Sequence, residues 1–329
     1  MDFNELLDPF ERLLEDVAGP ERIRQIESDA ALGELWTALE ESGFLDALVP
    51  EAAGGAGLTL GDVYPLFVAL GRHAVPAPVA ETMLARLLLA KEGVDYPRGP
   101  IVLAVAHGDA TPPVPHGRVA EHVLVEAGGE SLVLVPTEAL TRIETGVHGC
   151  LSGSFSWEAP LSGLLCSVPE HGLRTLAALV RTCLIAGAAG RLLDMTVGYA
   201  NERVQFGRRI GQQQAVQQQL AVMAQQVVAA RLASEAACVA GLPVNSPLIV
   251  ATSKQVCGTV AAEVANIAHA VHGAIGISEE YDLQLFTRRL HEWRLADGSS
   301  SWWALRLGEA RLASSQSSVD FVRAALVPV

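Results

Sequence analysis

Cations and paired cysteines are both scarce in this sequence of 329 residues. Lys and Arg total 23 against 37 Asp and Glu, which gives a net charge of −14. Because phosphate binding needs clustered cations, this balance argues against general nucleic-acid binding. The five cysteines are scattered and form no C-x-x-C pair, so neither a disulfide framework nor a metal site is expected.

The features of export and membrane insertion are also absent. Residues 1–15 are acidic and lack a basic segment followed by an apolar one, as a secretory signal would have. No uninterrupted apolar run reaches the roughly 18–20 residues that span a bilayer. We therefore expect a cytoplasmic protein without a membrane span. Half of the residues are apolar, which is enough for a large core.

Hydrophobic spacing predicts three consecutive domains. Residues 1–96 follow helical spacing, and helices are expected at 59–72 and 79–90. Residues 97–165 hold short β-branched runs between Gly and Pro, which predict a small β domain. Residues 166–329 return to long helical patterns, among them 172–200, where Gly187 and Gly190 offer a small-residue surface for close approach of another helix. The predicted fold is α+β, mostly α, with a C-terminal four-helix bundle.

The pattern for the longest helix ends in a turn that carries a cation, an amide and an aromatic ring. Arg203, Gln205 and Phe206 directly precede Gly207. A guanidinium and an amide beside a glycine turn can bind a pyrophosphate or a sugar, and a phenyl ring can cover an aromatic ligand. Alternatively, Arg203 complements the dipole at a helix C-terminus and Phe206 is an anchor. The residues alone favour this second interpretation.

Four segments, in matching order, resemble the acyl-CoA dehydrogenase family. They are the turn from Tyr199 through Arg-x-Gln-Phe-Gly to Gln217, the glycine-rich segment 49–58, the segment 271–282, and Arg288 to Ser299. Together they cover most of the chain except the β region. The resemblance implies an acyl-CoA dehydrogenase-like fold with an N-terminal helical domain, a reduced β middle domain and a C-terminal bundle. With this resemblance, ligand binding is favoured over helix capping as the role of the Arg203 turn.

The resemblance implies FAD at a subunit interface. Several residues match positions that hold the ADP half of the flavin belonging to the neighbouring subunit: Arg203, Gln205, Phe206, Gly207 and Gln214. Gly273 and Gly276 match a glycine turn that touches the same nucleotide. The family usually has glutamine and glycine where this chain has Ala270 and Ala274, and both departures weaken the expected contact.

A candidate catalytic base lies further along. Asp297, Gly298 and Ser299 match the family's Glu-Gly-Thr or Glu-Gly-Ser motif, whose acid removes the α-proton of an acyl-CoA thioester, and Gly298 and Ser299 are expected beside the cofactor. Aspartate is one methylene shorter, about 1.4 Å of reach, and a displacement near 1 Å can cost about a hundredfold in rate. Asp297 is thus a working base, the remnant of one, or an ordinary turn residue.

The segment that cradles the flavin ring in the family, of the type Thr-Glu-x-x-x-Gly-Ser-Asp, is not found between residues 101 and 160. This pattern resembles the short subunits of heteromeric acyl-CoA dehydrogenases that act on steroid side chains. It implies α,β-desaturation of an acyl-CoA together with a full-length partner subunit in a heterotetramer, with an electron-transfer flavoprotein or a similar acceptor. Two alternatives stay open: a self-sufficient homo-oligomer with Asp297 as base, and a flavin-free structural subunit.

Overall fold

Helices dominate the computed structural model, which describes residues 3–128, 131–146, 149–158, 160–239 and 247–326. The N-terminal helices are α1 (Phe3–Val17), α2 (Pro20–Asp29), α3 (Glu34–Ser42), α4 (Leu60–Arg72) and α5 (Val79–Lys91). Helix α4 begins at a capping box, because the Thr59 hydroxyl accepts from the Asp62 N–H while the Asp62 carboxylate accepts from the Thr59 N–H. The expected helices at 59–72 and 79–90 are therefore confirmed.

The β region contains one small mixed sheet and a hairpin. Strands β1 (Ile101–Val105), β2 (His122–Glu126) and β3 (Ser131–Pro136) lie side by side, and β6 (Leu164–Ser167) pairs with β3. β1 and β2 are parallel, whereas the other pairs are antiparallel. Strands β4 (Thr141–Glu144) and β5 (Gly153–Ser156) form the hairpin.

The C-terminal region is built on three long helices. In chain order it contains α6 (Gly172–Glu202), a two-residue hairpin of β7 (Val204–Gln205) and β8 (Arg208–Arg209), α7 (Gln214–Val239), α8 (Pro247–His272), α9 (Leu283–Trp293), α10 (Ser300–Ala313) and α11 (Ser318–Ala325). Helices α6, α7 and α8 pack against one another, and α10 packs against α8. This arrangement confirms the α+β fold with a helical bundle.

Two glycines bring α4 and α6 unusually close. A Cβ atom added at Gly187 would lie 1.9 Å from the Val68 carbonyl oxygen, and one added at Gly71 would lie 2.1 Å from that of Leu184. The predicted close approach is thus confirmed at Gly187. At Gly190 the nearest atom is 4.0 Å away, on the side chain of Arg72, so a methyl group fits there.

The largest apolar cluster of the described residues runs through all three regions. It contains Phe10 of α1, Leu84 of α5, Leu124 of β2, Leu184 of α6 and Trp293 of α9. This continuity fixes the β region against the helices and therefore positions the loops discussed below. The division into domains at 1–96, 97–165 and 166–329 stays a prediction.

Two helical stretches, Gly172–Glu202 and Pro247–Ile277, are long and apolar enough to cross a membrane by length and composition. Neither stretch is an uninterrupted apolar run, because polar residues lie within both without lowering the mean hydropathy below that of a possible span. Most of the apolar window of the first stretch, 83%, is buried inside the protein, and buried core helices pass the same test. Length and composition are thus weak support for a span.

Candidate flavin and acid sites

The turn after α6 is a tight hairpin with a left-handed tip. Arg203 is the C-cap residue of α6, and its N–H donates to the carbonyl of Tyr199. Its own carbonyl accepts from the Ile210 N–H at 2.9 Å, which closes the hairpin of β7 and β8. Phe206 and Gly207 form the tip with φ values of 54° and 78°. This conformation strains phenylalanine, whereas glycine adopts it freely.

The hairpin presents its functional groups to solvent. Phe206 is 91% exposed, and Arg203, Gln205 and Gln214 are exposed as well. Within the described part of the chain, neither Arg203 nor Gln205 has a side-chain partner. Arg208 and Arg209 extend the positive charge of this hairpin in an otherwise acidic protein. Unpaired guanidinium groups beside an amide are a donor set that fits a diphosphate.

The Gly273–Ile277 turn lies at the same end of the bundle. The ring of Tyr199 stacks on His272 with centroids 4.4 Å apart, and its hydroxyl donates to the His272 carbonyl at 3.4 Å. Gly273, with φ 63°, is exposed and has open space where a side chain would stand. Gly276 is buried, and a Cβ there would meet His272 and Leu283 at 3.0 Å. Gly273 therefore leaves room for a ligand, whereas Gly276 serves packing.

Asp297 lies in a different environment, where it accepts a hydrogen bond from a buried arginine. Its Oδ2 atom accepts from Nε of Arg181 at 3.0 Å, and Nη1 of Arg181 donates to Oε1 of Glu81 at 2.5 Å. Arg181 and Glu81 are 0% and 1% exposed. We call Glu81, Arg181 and Asp297 the ion triad. It ties α5, α6 and the loop after α9 together.

Burial and charge act in opposite directions on Glu81. Burial raises the pKa of this carboxyl, but Arg181 and then His116, whose Nδ1 lies 3.7 Å away, outweigh it and hold the pKa at about 2. Glu81 and Arg181 therefore form an ionised pair at neutral pH.

Lys254 supports the same loop from α8. Its Nζ atom donates to the carbonyls of Trp293, Arg294 and Gly298 at 2.9–3.1 Å. Burial lowers the pKa of Lys254 to about 8, although the nearby Asp297 carboxylate opposes the shift. Two further bonds fix the turn, since Trp303 Nε1 donates to the Asp297 carbonyl and Ser299 caps α10.

Beside the triad is a cavity of about 680 Å³ between the β region and α9, with Asp297 and Gly298 on its wall. Glu292 also lines it, and its Oε1 accepts from the Ser152 hydroxyl and, at 3.1 Å, from the Cys150 thiol. Burial, and then the charge of Glu292, raises the pKa of Cys150. The cavity therefore holds neutral thiol and hydroxyl donors beside carboxylates.

The predicted site residues thus form two separate groups. Arg203, Gln205, Phe206, Gly207, Gln214, Gly273 and Gly276 lie at one end of the bundle, and Asp297, Gly298 and Ser299 lie near the other. Arg181 lies in α6, and Arg203, 22 residues later, is its C-cap. At 1.5 Å per residue, the two positions are about 33 Å apart along the helix axis. The structure brings each group together but keeps the two groups apart.

Sequence reasoning missed Glu81, Arg181 and Lys254. Each is a single charged residue inside an apolar helical pattern, and each is buried. That isolation was a usable signal, because buried charges require partners. The partners themselves could not be found locally, since Arg181 pairs with residues 100 and 116 positions away.

Comparison with known proteins identifies the class. Residues 175–311 match the family model "Acyl-CoA dehydrogenase, C-terminal domain". The chain is 31% identical over 295 residues to acyl-CoA dehydrogenase IpdE2 of Mycobacterium tuberculosis, covering 83% of this chain and 86% of that protein. It is also 31% identical to IpdE2 of Mycolicibacterium smegmatis, over 85% of this chain and 89% of that one.

Solved structures agree with these relatives. The ChsE4–ChsE5 complex of Mycobacterium tuberculosis superposes with a TM-score of 0.80 at 23% identity, over 96% of this chain and 100% of that one. The G363A variant of Tcur3481–Tcur3483, a steroid acyl-CoA dehydrogenase, gives 0.82 at 26% identity, over 95% and 99%.

The chain belongs to the acyl-CoA dehydrogenase family. Its class is that of FAD-dependent oxidoreductases acting on acyl-CoA thioesters, as the resemblance predicted.

Proposed function

We propose that this chain is a subunit of a heteromeric FAD-dependent acyl-CoA dehydrogenase that introduces an α,β double bond into a CoA thioester. Its contribution is the ADP half of a flavin site at the subunit interface. One similar structure is named as a steroid acyl-CoA dehydrogenase, which supports a bulky, steroid-type acyl group. Both similar structures are named with two components, which supports a partner subunit of a different sequence. An electron-transfer flavoprotein or a similar acceptor completes the proposal.

The observation that carries the proposal is the exposed hairpin. Arg203 and Gln205 offer donors to solvent, and Phe206 has no apolar wall opposite it within the described residues. A second subunit supplies that wall. Arg203 and Arg181 lie about 33 Å apart along α6, and in this proposal a flavin held by the hairpin extends to the acid of another subunit.

FAD supplies hydride acceptance when bound; this chain supplies binding and orientation. The Arg203 guanidinium offers two parallel N–H donors to a diphosphate, and the Gln205 amide adds a neutral donor. Phe206 covers an aromatic ring, and Gly273 allows close approach of its backbone. In this proposal the proton acceptor belongs to the partner, because Oδ2 of Asp297 is already engaged by Arg181.

The test is flavin content in the purified complex. The chain is co-expressed with a full-length acyl-CoA dehydrogenase subunit from its own gene neighbourhood, and FAD is measured by absorbance per complex. Arg203→Ala is expected to lower FAD content at least tenfold, since it removes a charge-assisted bidentate contact. Arg323→Ala, an exposed arginine on α11, is the control. Unchanged flavin in the Arg203 variant would leave the chain a flavin-free structural subunit.

A second candidate is a self-sufficient homo-oligomer with Asp297 as base. One observation favours it, which is that Asp297 lines the 680 Å³ cavity. This candidate requires that the chain purified alone contains FAD and oxidises acyl-CoA, and that Asp297→Asn abolishes the oxidation. In the heteromer, by contrast, Asp297→Asn retains activity.

A further inference from the structure

A small apolar cluster, separate from the largest one, packs the end of the bundle that carries the Arg203 hairpin. Its buried members are Ala200 of α6, Ile210 directly after β8, and Val271 of α8. The partly buried side chains packed against it are Tyr199, Val216, Leu220 and Ile267. The cluster therefore joins the end of α6, the return of the hairpin, the start of α7 and the end of α8.

The return of the hairpin is fixed to α6 and α7. A Cβ atom added at Gly211 would lie 2.9 Å from the carbonyl oxygen of Ala200, so backbone packs directly on backbone there. Nε2 of Gln217 on α7 donates to the Gly211 carbonyl at 3.0 Å. The hairpin therefore follows the position of the end of α6. Its spacing from the Gly273 turn depends on how α6 and α8 contact each other at this end.

An aromatic stack connects α6 to α8 beside both segments. Tyr199 lies one helical turn before Arg203, whose N–H donates to the Tyr199 carbonyl at 2.8 Å. On the other side, His272 directly precedes Gly273. The rings of Tyr199 and His272 have centroids 4.4 Å apart and planes that differ by 24°. The Tyr281 ring packs against both, with centroid distances of 6.3 and 5.3 Å. The stack is thus one helical turn from the candidate guanidinium and one peptide bond from the glycine turn.

The His272 ring has an orientation that α8 itself fixes. Its Nδ1 atom lies 2.8 Å from the Ala268 carbonyl, and because a carbonyl only accepts, Nδ1 carries a proton. Nε2 has no hydrogen-bond partner in the described part of the chain. The residue is 4% exposed, and burial lowers the pKa of His272, so the imidazole is neutral at neutral pH. Tyr199 therefore packs on a neutral ring face that is already in place.

We infer that Tyr199 is a positioning residue that acts through its stack on His272. The stack holds the Arg203 donors and the Gly273 backbone at the spacing that one diphosphate requires, so this inference rests on the proposed function. Because the Arg203 side chain is exposed, its placement depends on the backbone that carries it. The ring contact has this role rather than the hydroxyl group, since the 3.4 Å from the Tyr199 hydroxyl to the His272 carbonyl exceeds the usual length of such a hydrogen bond.

The affinity of the co-expressed complex for FAD tests the inference. Flavin is removed and titrated back, and the dissociation constant is measured by flavin fluorescence. Tyr199→Leu is expected to weaken binding about fivefold, because it removes the aromatic pair. His272→Leu removes the other ring and should weaken binding equally, so the test does not depend on one variant. Tyr199→Phe keeps the ring and should bind within about twofold of wild type. Tyr96→Leu, at a partly buried tyrosine that contacts Arg86, is the matched control and should bind as wild type does.

Coupling to Arg203 separates positioning from a general effect on stability. Arg203→Lys keeps the charge but loses the fork of donors, so a misplaced backbone matters less in that background. Tyr199→Leu should then weaken FAD binding by less than about twofold, which is a non-additive result. Effects of the two substitutions that simply multiply would overturn the inference, as would wild-type affinity in Tyr199→Leu.

The outcome for Arg203→Ala distinguishes failure of this inference from failure of the proposed function. If Arg203→Ala loses flavin while Tyr199→Leu and His272→Leu bind FAD as wild type does, the hairpin binds the cofactor and only the positioning role of Tyr199 is wrong. If Arg203→Ala retains its flavin, the proposed function fails and this inference fails with it.

Discussion

At the scale of single residues, the ion triad is the feature with the largest consequence for stability. A buried guanidinium between two carboxylates is tolerated only as a complete set, because removing one partner leaves an uncompensated charge. The triad explains why Arg181 stands in the apolar pattern of α6. It also explains the orientation of Asp297, whose left-handed φ of 57° is supported by Arg181 and Lys254 on either side.

Glu81→Gln is expected to lower the free energy of unfolding at pH 7 by about 3 kcal/mol, measured by urea titration. The pKa of Glu81 is lowered from 4.5 to about 2 in the folded chain, so its contribution is present above pH 4.5 and disappears as the pH falls through 2. The difference between wild type and variant should therefore shrink between these values.

The control is Glu263→Gln, a substitution of an acid on α8 that has no ion-pair partner in the described part of the chain. It should change stability by less than about 0.5 kcal/mol at either pH. Equal effects of the two substitutions would show that the triad adds no stability.

At the scale of elements, the packing of α4 on α6 depends on glycine. Gly187→Ala forces a methyl group into the backbone of α4 and is expected to cost about 1–3 kcal/mol. Gly198→Ala is the matched control in the same helix, because nothing lies within 4 Å of its added methyl. It should stabilise by up to about 1 kcal/mol through helix propensity. Shifts of the urea midpoint in opposite directions are expected, and shifts of the same sign would contradict this packing.

Much of the element order could be predicted from periodicity, but not all of it. Helices α4 to α6 and strands β1 to β5 follow local sequence patterns, and packing in the apolar core then stabilises these elements. Helix α2 was missed because its ten residues are mostly polar, with only Ile23 and Ile26 as buried apolar side chains. Strand β6 is four residues long and is stabilised by pairing with β3, whose paired residues lie 30–36 positions back.

The candidate site residues also divide into those that a local motif predicts and those that only the fold brings together. Arg203, Phe206 and Gly273 could be proposed because each belongs to a contiguous motif. The stack of Tyr199 on His272 joins residues 73 positions apart. No local spacing predicts such a pairing.

At the scale of the whole molecule, Phe206 is the side chain most clearly in need of a partner. Phe206→Ala should leave the thermal midpoint of the isolated chain unchanged, because the ring is 91% exposed there. In the co-expressed complex it should weaken subunit association at least tenfold, since buried aromatic anchors dominate interfaces. Sedimentation measures the association.

Ile143→Ala, at a 53% exposed position on β4, is the control for this experiment. It should change neither the midpoint nor the association. Loss of stability in isolated Phe206→Ala would mean that the ring packs within its own chain.

Helix α6 sets both the distance and the direction between the two ends of the molecule. Each residue added to a helix advances the chain by about 1.5 Å and rotates the segment beyond it by about 100°. One residue inserted between Arg191 and Gly198 would therefore turn the Arg203 hairpin by more than a quarter of a revolution relative to the ion triad. Single substitutions on the solvent side of this stretch are then tolerable, whereas changes in its length are not. In the proposed heteromer, the length of α6 therefore fixes where this hairpin meets a dinucleotide held by the partner subunit.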